Sequence, residues 1–337
     1  MDKQKLKAAF SQIEKQHGAG TVFRLGSSRR LAVKVISTGI LPIDIASGVG
    51  GVPKGRVVEI FGPESGGKTT LALHIIAQAQ KAGGLAAFLD AEHGLDPVYA
   101  KALGVDVDNL VVSQPDNGEQ ALEVTETLIK SEQFAVIVID SVAALVPKAE
   151  LAGEMGDPQM GLQARLMSQA LRKLVAVTAK TDTCLIFINQ VRDKIGVFYG
   201  NPETTTGGRA LKFYASMRIT VRASTRIKEG DKEVGYTAKV KFVKNKVATP
   251  HREAEVEAIY GKGFPFIPNL VDGALTLGVL AKSGAWFTFN GDSVGQGRNG
   301  LITILNDDAV LLDQLQQAVT AKMAVVPDAT KEIVDDE

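Results

Sequence analysis

The segment Gly62-Pro63-Glu64-Ser65-Gly66-Gly67-Lys68-Thr69 matches G-x-x-x-x-G-K-[ST] and stands between the apolar run VVEIF and a stretch of helical periodicity. No other feature constrains the fold so tightly. A glycine-rich turn that opens a helix aims backbone N–H groups and a positive dipole end at phosphate oxygens, so strand, turn and helix form one unit. In such a unit Lys68 reaches the β- and γ-phosphates and Thr69 offers a hydroxyl to Mg²⁺. Gly62 through Lys68, with Thr69 and Thr70, are therefore the candidate nucleotide-binding residues.

The pattern around this turn predicts the architecture. VVEIF, a helix over 68–81, AAFLD, a helix near 97–103, LVV, a helix over 118–131 and FAVIVID follow one another in βαβα order. A helix over 162–180 and the strand CLIFIN continue it. Strands apolar on both sides imply a mostly parallel, doubly wound α/β core with helices on each face. Longer β-type stretches near 212–222, 236–243 and 253–260 read as an antiparallel extension of the sheet. Gly261, Gly263, Pro265 and Pro268 mark the next boundary, beyond which a small α+β lobe contains Trp286, read as lobe core. Four parts are expected: an N-terminal arm (1–34), the phosphate-loop core (35–264), the lobe (265–325) and a short acidic, disordered tail (326–337). In the arm, Leu6, Phe10, Ile13 and His17 place an amphipathic helix over 3–17, ended by Gly18 and Gly20. A helix this short needs a surface, on its own domain or on another subunit.

Composition bounds the function. With 337 residues, 45% hydrophobic and 23% charged, the chain can bury a full core, which excludes low-hydrophobicity disorder. The lone cysteine, Cys184, forms no internal disulfide and reads as a buried small hydrophobe. No apolar run approaches the roughly 18 residues of a membrane span, and the charged N-terminus lacks a signal-peptide core. A cytoplasmic protein with no membrane partner is expected. Thirty-eight basic residues balance thirty-eight acidic ones, so any case for nucleic acid must be local. Locally the balance breaks: residues 1–34 carry net +6, 84–160 net −11 and 192–246 net +8. The four histidines, at 17, 74, 93 and 251, show no metal-ligand spacing.

Further candidates stand at strand ends, where doubly wound sheets bind ligands. Asp140 closes FAVIVID and is placed either to hold the shell of Mg²⁺ or to cap the following turn. Glu92, after AAFLD, could orient and deprotonate an attacking water; by spacing alone Asp90 and His93 compete for that task. Gln190 ends CLIFINQ, and its uncharged amide can hydrogen-bond a γ-phosphate without competing with the metal. After it runs a polar, Gly-rich loop whose Arg192, Lys194, Phe198, Tyr199, Arg209 and Lys212 suit a nucleic-acid strand. A second loop covers residues 152–161.

Over residues 3 to about 300 the chain closely resembles the bacterial RecA recombinases. The stretches VEIFGPESGGKTTLAL, FLDAEHGLDPVYA, IVIDSVAALVPKAE, IFINQVRDKIGVFYGNPETTTGGRALKFYAS and VKNKVATP carry the likeness. The resemblance implies an ATP-dependent recombinase that filaments on single-stranded DNA, exchanges it with duplex DNA and stimulates self-cleavage of an SOS repressor. It makes Glu92 the catalytic carboxylate, Gln190 the γ-phosphate sensor, and Asp96 and Tyr99 the adenine contacts, with Tyr260 also at the nucleotide. Segments 153–160 and 191–206 match the DNA-binding loops, and Arg165, Ser168, Arg172, Arg192, Lys194, Gly207, Gly208 and Arg209 the strand contacts. Lys244 and Lys246 match lysines that reach the ATP of a neighbouring subunit. The N-terminal helix and the strand after it match an intermolecular polymerisation arm.

There are departures. Gly66 stands where the family commonly has Ser, Arg209 where Asn is familiar, Asp193 adds negative charge to the second loop, and Pro158 and Gln159 occupy the first. Lys282 through Trp286 and Gly295-Gln296-Gly297 still match in the divergent lobe, and the short acidic tail implies weak restraint on duplex entry. Rival readings are a small-molecule kinase or metabolic ATPase, a ring helicase, and a non-enzymatic filament scaffold. ATPase activity that rises with single-stranded DNA separates the first from a recombinase.

Overall fold

The structure, a computed structural model, describes residues 3–18, 21–22, 33–154, 161–193 and 203–325. It divides into two units, Met1–Lys34 and Val35–Glu337. In the first, α1 (Lys3–His17) buries none of its residues. It ends where the sequence expects, at Gly18, whose φ of +99° suits a glycine and whose N–H returns to the Glu14 carbonyl. The strand expected after this helix and the acidic tail fall outside the described residues.

In the second unit β1 (Val35–Ile36), α2 (Leu41–Ser47) and β2 (Val52–Pro53) precede the phosphate-loop strand β3 (Val57–Gly62). Then come α3 (Lys68–Lys81), β4 (Leu85–Asp90), α4 (Pro97–Ala102), β5 (Leu110–Ser113), α5 (Gly118–Lys130) and β6 (Phe134–Asp140). A 3₁₀ turn (Val142–Ala144) and α6 (Lys148–Leu151) lead to α7 (Leu162–Thr178), β7 (Cys184–Asp193), β8 (Glu203–Thr205) and α8 (Ala210–Tyr214). The long strands β9 (Met217–Glu229), β10 (Lys232–Asn245) and β11 (Glu253–Ile259) close the core.

The main sheet runs β11-β10-β9-β3-β7-β6-β4-β5, with β8 paired to β7. Strands β9, β3, β7, β6, β4 and β5 are parallel, while β10 and β11 add the antiparallel extension. Period-two alternation divides the apolar strands between two layers. Val136, Val138, Cys184, Ile186 and Ile188 pack with α3, whereas Ile137, Ile139, Leu185 and Phe187 pack with α5 and α7. The β-branched runs thus serve both faces at once, which is why they read as continuously apolar. Cys184 is buried, and burial pushes its thiol up to about 12. The cover thins at the edge, where Val111 and Val112 of β5 are 42% and 46% exposed.

Two expectations are corrected. The stretch 212–222 is not one strand, because Ala210–Tyr214 is helical and the strand begins at Met217. Leu211 and Ala215, an i, i+4 pair on one face of this turn, are both buried with α7. Trp286 is not lobe core; it is 51% exposed. It lies on β13 (Trp286–Phe289), reached through α9 (Phe266–Thr276) and β12 (Leu280–Ser283). Phe287 and Phe289 take the buried face of that strand, so alternation turns Trp286 outward. The lobe ends with β14 (Asp292–Gln296), α10 (Arg298–Asp307) and α11 (Ala309–Val325). Arg298 clasps it to the core, donating to both Asp272 oxygens (2.9 and 2.7 Å) and to Glu257 on β11 (2.8 Å).

Phe187 is fully buried at the centre of the sheet. Phe187→Ala is expected to cost about 3–5 kcal/mol, read as a lowered denaturation midpoint.

Candidate functional site

The phosphate loop sits tightly against β9 because its glycines have no side chains. A Cβ at Gly62 would stand 2.1 Å from the Val221 carbonyl oxygen, and one at Gly66 2.9 Å from it. A serine at 66 would thus crowd β9, which gives the Gly66 departure a local reason. Gly67 opens α3 at φ +94°, a conformation that favours glycine, and faces the Tyr236 hydroxyl. Lys68 is 9% exposed and donates to the Pro63 carbonyl at 2.6 Å inside the loop. Burial holds its ammonium below the ordinary lysine range, against the pull of Asp140, Glu92 and Glu64. Beside the loop opens a cavity of about 410 Å³, lined by Ser65, Thr69, Thr70, Tyr99, Tyr236 and Tyr260 among others.

Parallel register brings the strand ends together. Asp90 pairs with Asp140 across β4 and β6, and Gly62 with Gln190 across β3 and β7. Thr69 Oγ1 donates to Asp140 Oδ2 at 2.6 Å, bringing both metal candidates to one point. Burial pushes the Asp140 carboxyl up to about 6, with Glu92 and Asp90 adding to the rise and Thr69 and Lys68 opposing it. Glu92 Oε1 accepts from Gln190 Nε2 at 3.1 Å and from the Ser141 hydroxyl. Its competitors are placed differently. Asp90, 2% exposed, accepts from the N–H groups of Gly94 (2.9 Å) and Leu95 (3.3 Å) and from Gln114 (3.1 Å), bracing the loop that carries Glu92. His93 is exposed.

Asp96 caps α4, its Oδ1 accepting from Val98 and Tyr99 N–H groups at 2.8 and 3.3 Å. That cap presents Tyr99, whose hydroxyl meets Thr70 Oγ1 at 3.0 Å. Tyr260 lies at the cavity wall, its hydroxyl donating to Glu233, which also pairs with Arg226. Lys244 does not line this cavity. Its Nζ donates to the carbonyls of Lys212 (2.6 Å) and Phe213 (2.9 Å), and burial, with Lys246 and Arg218 nearby, lowers its proton affinity. Lys246 is exposed.

A second constellation forms where α7 meets the return of the long loop. Arg165, Ser168 and Arg172, at i, i+3 and i+7, share one face of α7, and Arg172 Nε donates to the Ser168 carbonyl at 3.2 Å. Cβ atoms at Gly207 and Gly208 would stand 2.8 Å from Val142 and from Ala164, so the glycine pair presses onto that helix beside Arg165. Arg209 and Arg192 are exposed nearby in sequence, Arg192 in register with Thr204. Lys194, Phe198, Tyr199, Pro158 and Gln159 fall outside the described residues, as do 155–160 and 194–202 as a whole.

Sequence reasoning passed over three residues here. Ser141 holds Glu92, and only its position after a strand-end acid could have signalled it. Tyr236 lines the cavity from β10, far away in sequence; burial raises its hydroxyl to about 12. His74, dismissed as a ligand, packs its ring 5.5 Å from that of Phe264 and accepts from the Phe264 N–H at 3.2 Å, bracing the segment after Tyr260.

A doubly wound parallel sheet with a glycine turn, a buried lysine and strand-end carboxylates defines a P-loop nucleotide-binding protein. Residues 4–265 match the family model of the RecA N-terminal domain and residues 268–324 that of the RecA C-terminal domain. Protein RecA of Clostridium novyi (strain NT) is 57% identical over 317 residues, 94% of this chain and 91% of the relative. That of Bifidobacterium longum (strain NCC 2705) is 55% identical over 332 residues, 98% and 84% of the two chains. That of Clostridioides difficile (strain 630) is 56% identical over 324 residues, 95% and 93%. The chain belongs to the RecA family, and its function is that family's: a DNA-dependent ATPase in recombination and DNA repair. No helix among the described residues is long and apolar enough to cross a membrane.

Burial, with Lys81 as the charged neighbour acting on it, lowers the His74 pKa from 6.5 to about 4. The folded state then binds fewer protons than the unfolded one between those values, so this stabilisation is complete above about 6.5 and lost as pH falls toward 4. Compared with His74→Gln, which does not titrate, the wild type should lose about 3 kcal/mol between pH 7 and pH 4. Denaturant unfolding at both pH values measures it.

Proposed function

We propose that the chain coats single-stranded DNA as a helical filament in the cytoplasm, binds and hydrolyses ATP with Mg²⁺, and exchanges the bound strand with homologous duplex DNA. The filament also serves as the surface on which an SOS repressor cleaves itself. In this reading residues 1–34 are the polymerisation arm, 35–264 the motor with its DNA loops, 265–325 the C-terminal α+β lobe, and 326–337 a weakly restraining tail.

The observation that carries the reading is the contact between Gln190 and Glu92 at the carboxyl ends of two core strands. It puts a proton acceptor and a neutral amide donor side by side, next to the strand that carries the phosphate loop. Backbone N–H groups of Glu64 through Lys68 hold the phosphates, and the Lys68 ammonium neutralises the β- and γ-oxygens. The residues fit a magnesium ion: a threonine hydroxyl on a buried carboxylate is a hard oxygen pair. Thr69 and Asp140 would hold the metal's inner or water shell, and the metal would neutralise charge on the phosphates. Glu92, oriented through Oε1 by Ser141 and Gln190, accepts the proton of the water that attacks the γ-phosphorus. The P–O bond to ADP breaks as the new one forms, leaving ADP and inorganic phosphate.

Asp96 and Tyr99 flank the adenine, with Tyr260 closing the wall. Lys244 and Lys246 reach the neighbouring subunit's ATP, leaving the carbonyls that hold Lys244 in the single chain. Arg165, Ser168, Arg172, Arg192, Lys194, Gly207, Gly208 and Arg209 follow the DNA backbone.

Glu92→Gln should retain nucleotide binding while slowing DNA-stimulated hydrolysis by roughly 10²-fold or more; unchanged turnover would return the task to another group. Lys244→Ala with Lys246→Ala should bind nucleotide normally yet lack DNA-stimulated ATPase. Mixing that variant with Lys68→Ala should recover part of the activity, because one chain supplies the phosphate loop and the other the reaching lysines. Filaments seen by electron microscopy on single-stranded DNA, without any recovery, would count against a shared site.

A further inference from the structure

Tyr260 stands just past the end of an edge strand, yet the neighbouring hairpin β9–β10 holds it at the nucleotide cavity. It follows β11 and enters a tight turn, in which the N–H groups of Lys262 (3.0 Å) and Gly263 (2.9 Å) both return to the Ile259 carbonyl. Gly261 and Gly263 take φ of +74° and +66° there. A ring carried on such a turn swings freely unless something outside the turn fixes it, and Tyr260 is 49% exposed.

Its backbone is fixed by a bulge in β10. Pairing with β9 steps from Glu233 opposite Lys228 to Gly235 opposite Ile227, so Val234 is an extra residue, and its carbonyl accepts from the Tyr260 N–H at 3.0 Å. Gly235 lets β11 come close, since a Cβ there would stand 2.1 Å from the Ala258 carbonyl oxygen. The ring is fixed by the residue before the bulge. Glu233 accepts from the Tyr260 hydroxyl and pairs with Arg226 of β9, which itself donates to that hydroxyl at 3.3 Å. Tyr236 backs the ring, the two centroids lying 6.0 Å apart with the planes tilted by 47°.

Stability does not account for this clasp. Arg226, Glu233 and Tyr260 meet at the surface, where an ion pair adds little to folding. What they determine is the place of one ring. The carboxylate can only accept, so it takes the single proton of the Tyr260 hydroxyl and gives that hydroxyl one orientation. The cavity beside it has two kinds of lining: the glycine turn and Lys68 suit phosphate, whereas Tyr99, Tyr236 and Tyr260 suit a flat ring.

We propose that Glu233, anchored by Arg226, is a positioning residue that holds the Tyr260 ring as a wall for the base of ATP, so that affinity for the nucleoside part, and not for the phosphates, depends on the hairpin β9–β10. This rests on the reading above, in which the cavity takes ATP with its adenine at Tyr99 and Tyr260. Without the carboxylate the ring loses its tether, and ordering it on binding subtracts from the affinity for the nucleotide.

The test is a binding titration of the full chain without DNA, using a slowly hydrolysed ATP analogue and, separately, inorganic tripolyphosphate. Glu233→Val should weaken binding of the analogue about 3- to 10-fold, the cost of immobilising one side chain. Tripolyphosphate should bind no more weakly than to the wild type, since losing a negative charge cannot reduce attraction for an anion. In a Tyr260→Phe background, which lacks the hydroxyl, Glu233→Val should add no further loss. Thermal unfolding confirms that each variant is folded. Wild-type affinity for the analogue in Glu233→Val would overturn the inference and leave the proposed function standing. So would an equal loss for tripolyphosphate, which marks general damage to the cavity, or an undiminished loss in the Tyr260→Phe background, which means that Glu233 acts on something else. A wild-type protein that binds tripolyphosphate as tightly as the analogue would overturn the reading of the adenine contacts, and this inference with it.

Discussion

Parallel pairing of β3, β7, β6 and β4 is the constraint on which the rest of the structure depends. Parallel neighbours need a crossover for every return, and right-handed crossovers send every carboxyl end to the same edge. Gly62, Asp140 and Asp90 close their strands there, and Gln190 pairs with Gly62 before β7 runs on to Asp193. Groups far apart in the chain consequently meet there without any local signal for it, as Gln190 and Glu92 do at 3.1 Å and Thr69 and Asp140 at 2.6 Å. The extension β9–β11 adds the other wall, since β10 delivers Tyr236 and the turn after β11 delivers Tyr260.

That edge is rich in buried polar groups, and each is handled differently. Glu59 is neutralised by Arg218, which leaves it available as an acceptor for Asn189. Asp90 is consumed by backbone donors and becomes scaffold for the turn that carries Glu92. Asp140 has a single hydroxyl partner among these contacts, and its carboxyl is pushed up to about 6. Three acids of one sheet thus divide into an ion-paired anchor, a brace, and a carboxyl whose proton affinity burial has raised. A buried carboxylate keeps its charge only where positive charge or several donors meet it, and that rule makes the division.

The single chain also shows surfaces at odds with a self-sufficient globule. The edge strand β5 exposes Val111 and Val112, Phe213 is 70% exposed, and α1 buries nothing. Lys244 spends donors on two carbonyls of α8. A protein that completes its sites by self-assembly carries such features, because its apolar and cationic surfaces are matched to another copy rather than to water.

Local chemistry made the phosphate loop, the βα alternation and the antiparallel extension legible in the sequence, because glycine turns and apolar periodicity act over a few neighbouring residues. Glu92, Asp140 and Gln190 were legible as strand-end polar groups, although spacing alone left Glu92 level with Asp90 and His93. The folded chain gives Asp90 backbone donors and gives Glu92 the Ser141 hydroxyl and the Gln190 amide. It also turned 210–214 into a helix and Trp286 toward solvent, since the layer each residue meets depends on what packs across from it. Ser141, Tyr236 and Glu233 acquire roles only through partners brought from elsewhere in the chain, as in the hydrogen bond from Tyr260 to Glu233, 27 residues apart. Periodicity reports which face of an element is apolar; which polar atoms come within 3 Å of each other is decided by strand order and register, and only the folded chain contains those.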